Sequence, residues 1–253
     1  MSQPAQGKPY TLRRPNRGTD PSRVFNVPGV VFAIAALCVA FFAFMWLAPS
    51  VAARVIEGGA AISPRRFLSG PEGNGGVLAM LSPLIAHMFV HASLMHLLFN
   101  VLWLFAFGAP IARRMGAVDA LQSSSAMAAA GMFLTFYFLC GAAAALTYIY
   151  MHANDNVLMV GASGGVSGLM GGVVRFAFNR SSLFGPEYAR VSGLLSPSVI
   201  AWSAVIIVTN VVFGVFGGAF MGGAEIAWEA HIGGYIFGLL TYPFFERAAA
   251  GLR

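Results

Sequence analysis

Long apolar runs alternate with short polar connections along almost the whole chain. Runs near 30–48, 93–112, 126–150, 158–178, 197–219 and 230–245 meet the test of about 20 mostly apolar residues for a helix that crosses the hydrocarbon. The pattern predicts six membrane-spanning helices. Ser123, Ser124 and Ser125 mark a loose entry to the third, which leaves open a start later than 126. The longest polar interruption, about 49–83, mixes Gly58, Gly59, Gly70, Pro71, Gly73, Gly75 and Gly76 with short apolar pieces such as Val77 to Leu81. It is expected to rest at the membrane interface. Residues 1–29 carry Pro4, Pro9, Pro15, Pro21 and Pro28, which interrupt any amphipathic helix and argue against an organellar transit peptide. They are read as a cytoplasmic tail, 30–248 as one six-span unit and 249–253 as a second tail.

Composition narrows the class. The chain is 58% hydrophobic and 9% charged, where a soluble domain has about 25% charged residues; its mean hydropathy is +0.74. A soluble, disordered or disulfide-stapled protein is excluded. The net charge of +6 is spread thinly among apolar runs, so no basic face exists for nucleic acid. It reports orientation instead. With the N-terminus inside, Lys8, Arg13, Arg14, Arg17, Arg23, Arg113, Arg114, Arg175, Arg180, Arg190, Arg247 and Arg253 share one side, and only Arg54, Arg65 and Arg66 fall on the other. The positive-inside rule then sets both termini in the cytoplasm. A small-residue site at Val51, Ala52 and Ala53 raises a signal peptide as an alternative for the first run, which is longer than such h-regions are. Cys38 and Cys140 lie in apolar runs without metal or disulfide spacing.

Polar groups at membrane depth are costly, so those that interrupt the runs carry the chemistry. His87, His91, His96 and Asn100 form the first group, with 87 and 91, and 96 and 100, each one helical turn apart. Three histidines raise a metal site, but the spacing lacks His-Glu-x-x-His and no carboxylate or cysteine lies within a turn; no metal or other cofactor is assigned. His87 and His91 are read as interfacial caps bonded to backbone. The second group is Gly161, Ala162, Ser163, Gly164 and Gly165, where Gly161, Gly165, Gly168 and Gly172 form a stripe inviting close helix packing. A serine there commonly bonds back to a carbonyl one turn earlier, and Gly-x-Ser-Gly alone is a weak signal. The third is His231 with Gly234 and Gly238 on its face. Two glycine-faced helices can bring Ser163 and His231 together, and an imidazole bonded to a hydroxyl is the minimal device for a nucleophilic serine. No carboxylate is placed to orient the imidazole, since Glu225 and Glu229 are expected to face water; packing is expected to orient it. His96 and Asn100 then become donors to an oxyanion. Asn210, in the fifth run, is assigned no role.

These residues resemble the rhomboid intramembrane serine proteases across all six runs. Gly161 to Gly164 match the family's nucleophile motif, His231 with Gly233 and Gly234 its catalytic histidine, and His96 with Asn100 its second-span pair. The resemblance implies an all-α six-helix bundle with a cavity opening outward, a dyad of Ser163 and His231, and an oxyanion hole lined by His96 and Asn100. It implies cleavage of single-pass membrane proteins in or near their transmembrane segments, with a small residue before the scissile bond and Gly or Pro after it. It further implies a bacterial inner-membrane setting, with the lipid bilayer and transmembrane substrates as partners. The chain departs from the family pattern in lacking a Trp-Arg pair in the outer loop, in Ala112 where a Glu is common, and in Ser167 where an aromatic is common. Ser167, one turn deeper than Ser163, lacks the flanking motif of a nucleophile. A silent rhomboid-like binder of transmembrane segments is the alternative reading, distinguished by a lost Ser or His. A transporter would be expected to show inverted repeats.

Overall fold

The computed structural model describes residues 27–118, 120–121, 123–155, 157–178, 190–216 and 226–252. Most of the tail 1–29, together with Arg180, Glu187, Glu225 and Arg253, lies outside them. Six main helices correspond to the six apolar runs: α1 (Gly29–Leu47), α2 (Leu94–Met115), α3 (Ser124–Met151), α4 (Ser163–Val174), α5 (Pro197–Phe216) and α6 (Trp228–Ala250). The chain is an all-α membrane bundle. Among the described residues α1, α2, α3 and α5 are long and apolar enough to cross a membrane by themselves.

α4 departs from the expected 158–178. It has 12 residues, about 18 Å at 1.5 Å per residue, too short for a span. Residues before it run as extended chain, because Gly161 has φ +121° and a left-handed residue ends helical propagation. Irregular backbone is tolerated at membrane depth only where protein covers it. Here Ile62 and Met159 exchange backbone hydrogen bonds of 2.9 Å, and the Gly161 N–H donates to the His87 carbonyl at 2.9 Å. The loop between α1 and α2 thus holds the entry to α4.

That loop is built rather than loose. It contains several short helical turns, and the Arg66 guanidinium gathers them by donating to the Glu57 carbonyl (2.7 Å), the Gly58 carbonyl (3.1 Å) and Asn74 Oδ1 (3.0 Å). Leu68, Val77 and Leu78 stay exposed, as suits a segment lying against lipid.

α4 sits at the centre, against α3 and α6. Its glycines make this possible. A Cβ on Gly164 would strike Ala144 of α3, and one on Gly168 would strike Cys140 of the same helix. Gly234 and Gly238 of α6 stand directly against the carbonyls of Gly164 and Gly168. Gly165 faces Met88 and Tyr137. Gly161 does not belong to this stripe: it precedes the helix, and its missing side chain makes room for something else, described below.

Helix ends follow their sequences. Ser123 caps α3 by accepting from the Ala126 N–H at 3.1 Å, so the three serines start this helix at Ser124 rather than later. Ser93 caps α2 by accepting from the His96 N–H at 3.1 Å. Pro243 lies inside α6 and cannot donate to the carbonyl of Leu239, one turn earlier. Arg175, at the end of α4, does so instead, at 2.7 Å. Nearby, Arg114 of α2 pairs with Glu246 of α6, shares Tyr242 with it, and lies 4.4 Å over the Phe176 ring.

Candidate active site

Ser163 opens α4, and the first helical hydrogen bond runs from the Val166 N–H to the Ala162 carbonyl at 3.1 Å. The N–H groups of Ser163, Gly164 and Gly165 therefore precede the ladder and carry the partial positive charge of a helix start. His231 lies in the first turn of α6. Because Gly234 and Gly238 allow α6 to touch α4 backbone to backbone, the two side chains meet. Ser163 Oγ lies 2.8 Å from His231 Nε2. Both residues are half-buried.

His96 completes one wall. It stands in the first turn of α2, and a Cβ built on Gly161 would fall 2.7 Å from its Nε2 and Cε1 and 3.8 Å from Ser163 Oγ. The imidazole of His96 thus occupies the space that glycine leaves, beside the hydroxyl. Asn100, one turn deeper, is buried and donates from Nδ2 to the His96 carbonyl at 2.9 Å. An amide nitrogen has two hydrogens, so one remains beyond this bond.

His87 and His91 are buried within the protein. They do bond to backbone, His87 Nδ1 to the Pro83 carbonyl at 2.8 Å and His91 Nδ1 to the Phe89 carbonyl at 3.3 Å. His91 also packs its ring against His96 with centroids 5.2 Å apart. Among the described residues no group of three or more His, Cys, Asp or Glu is placed to hold a metal ion. Ala112 and Ser167, two of the three departures, are both buried.

One residue was given no role by its sequence. Asn210 of α5 reaches across to α6, where its Oδ1 lies 3.0 Å from His231 Nδ1. The expectation that packing alone orients the imidazole is corrected accordingly. Glu229 is turned elsewhere, 3.6 Å from His152 Nε2, while Asp155 meets the other nitrogen of that ring at 2.8 Å. A lone carboxamide in an apolar run is a signal of burial with a partner, but the partner lies 21 residues away, and spacing alone does not reveal it.

A serine hydroxyl at a helix start, an imidazole bonded to it and a second imidazole beside it lie on an apolar bundle, and a family model, the Rhomboid domain, matches residues 79–247 of the chain. The chain belongs to the rhomboid family. The match runs from the loop between α1 and α2 to the last turns of α6, so it takes in Ser163, His231, His96, Asn100 and Asn210. No curated protein is similar enough to match this rhomboid.

Proposed function

We propose that this rhomboid is an intramembrane serine endopeptidase that cleaves single-pass membrane proteins in or near their transmembrane segment. The observation that carries the reading is the 2.8 Å contact between Ser163 Oγ and His231 Nε2. In the proposed reaction His231 removes the hydroxyl proton as Oγ bonds to the substrate carbonyl carbon. The oxyanion of the tetrahedral intermediate is stabilised by the side chains of His96 and Asn100 and by N–H groups at the start of α4. His231 then protonates the departing amine, and water resolves the acyl-enzyme by the reverse use of the same base. Neither metal nor organic cofactor enters the scheme. The basic residues set both termini in the cytoplasm of an inner (plasma) membrane protein, the tails 1–29 and 249–253 flanking the catalytic unit.

A fluorophosphonate probe tests the reading on detergent-purified protein. Wild type is expected to label, Ser167→Ala to label equally, and Ser163→Ala and His231→Ala to lose labelling while folding normally. A wild type that stays unlabelled where an active rhomboid labels would overturn the reading in favour of a silent binder of transmembrane segments.

A further inference from the structure

We propose that Asn210 is a positioning residue that fixes the tautomer and orientation of His231; the proposal rests on the reading of Ser163 and His231 as a dyad. Asn210 lies in the apolar stretch of α5, where an unpartnered carboxamide is costly. It makes two hydrogen bonds, and together they leave one assignment of atoms. The Ile206 carbonyl, 2.9 Å from Asn210 Nδ2, can only accept. The amide nitrogen therefore faces Ile206, and the amide oxygen faces the imidazole.

That oxygen can only accept as well. His231 Nδ1, 3.0 Å away, must then carry the ring proton, and in the neutral ring Nε2 is left with the lone pair. Nε2 is the atom 2.8 Å from Ser163 Oγ. The sequence of donors runs in one sense, from the serine hydroxyl to Nε2 and from Nδ1–H through the carboxamide to a helix carbonyl. The opposite tautomer would set two acceptors face to face at Asn210 and aim an N–H at the hydroxyl that has to lose its proton.

Asn210 thus does what a carboxylate or carboxamide does for the catalytic histidine on unrelated folds. A neutral group does this without placing a second charge at membrane depth. The bond also joins two helices, so correct orientation of His231 requires α5 to be seated against α6, where the Ser203 hydroxyl and Tyr235 OH meet at 2.7 Å as well.

Labelling kinetics separate the roles. Asn210→Leu keeps the volume and removes the acceptor, whereas Asn210→Asp restores an acceptor oxygen. With a fluorophosphonate probe, the Leu variant is expected to lose roughly 10- to 100-fold in maximal labelling rate, the cost of a misplaced catalytic group. Its half-saturating probe concentration should stay at the wild-type value, and the Asp variant should recover most of the rate. Labelling of the Leu variant at the wild-type rate, or equal slowing of Leu and Asp variants that melt like wild type, overturns the proposal. Ring-labelled histidine in the unmodified protein gives a test independent of folding of the variants. Nitrogen NMR should find His231 protonated at Nδ1 and bare at Nε2 at neutral pH; the reverse overturns the assignment. A wild type that does not label at Ser163 refutes the protease reading instead, and the tautomer still decides the arrangement around Asn210.

Discussion

Gly161 meets two requirements that a residue with a side chain would not. Its φ of +121° lies in a region that side chains rarely enter, and the place of its absent Cβ is held by the His96 ring. Gly161→Ala is expected to cost about 1 to 3 kcal/mol of stability through strain and to displace His96, so thermal unfolding and probe labelling should fall together. Under the proposed function Asn100 presents a different case, because removing it leaves the contact between Ser163 and His231 in place. Asn100→Ala should slow the chemical step by about 2.7 to 4 kcal/mol, the worth of one oxyanion donor, while melting stays near wild type and Ser163→Ala remains the more severe loss.

The pairing of α4 with α6 depends on the absence of side chains. A Cβ on Gly238 would press on the Gly168 carbonyl, carbonyl carbon and Cα, and backbone inside a packed helix cannot step aside as a side-chain tip does. Gly238→Ala should destabilise by about 1 to 3 kcal/mol, the usual cost of overpacking, and separate Ser163 from His231, measurable as parallel losses of melting temperature and labelling. The far ends of these helices are joined by polar means. Arg175 donates to the carbonyl that Pro243 leaves free, so its removal exposes a defect of α6 itself. Arg175→Met is expected to cost about 1.5 to 3 kcal/mol, as for a hydrogen bond from a charged group. Adding Pro243→Ala restores a backbone donor for Leu239 and should return part of that loss. A cycle of melting temperatures across the four proteins checks the coupling.

Across the whole molecule, the bundle is tied together at one end by Arg114, Tyr242 and Glu246, which connect α2 to α6, and at the other by the loop that holds the extended chain before α4. The Arg114 and Glu246 side chains are mostly buried, so Glu246→Gln removes one anionic partner of the Arg114 guanidinium, and unfolding at lower temperature in detergent is expected. The six helices were legible in the chain because hydrocarbon imposes a long apolar run, a local property that needs no knowledge of neighbours. The three residues that the structure brings together, Ser163, His231 and His96, stood out in the same way, as polar groups where lipid opposes them. The length of α4 was not legible, since the residues before it are apolar and read as helix. Only the bridge from Ile62 to Met159 and the bond from Gly161 to His87 supply the backbone partners that let an extended segment lie at that depth. Asn210 was hidden for a related reason. A hydrogen bond between helices is set by how α5 turns against α6, and the turning follows from tertiary packing; the spacing of residues along one helix carries no information about the atom that faces it from the next.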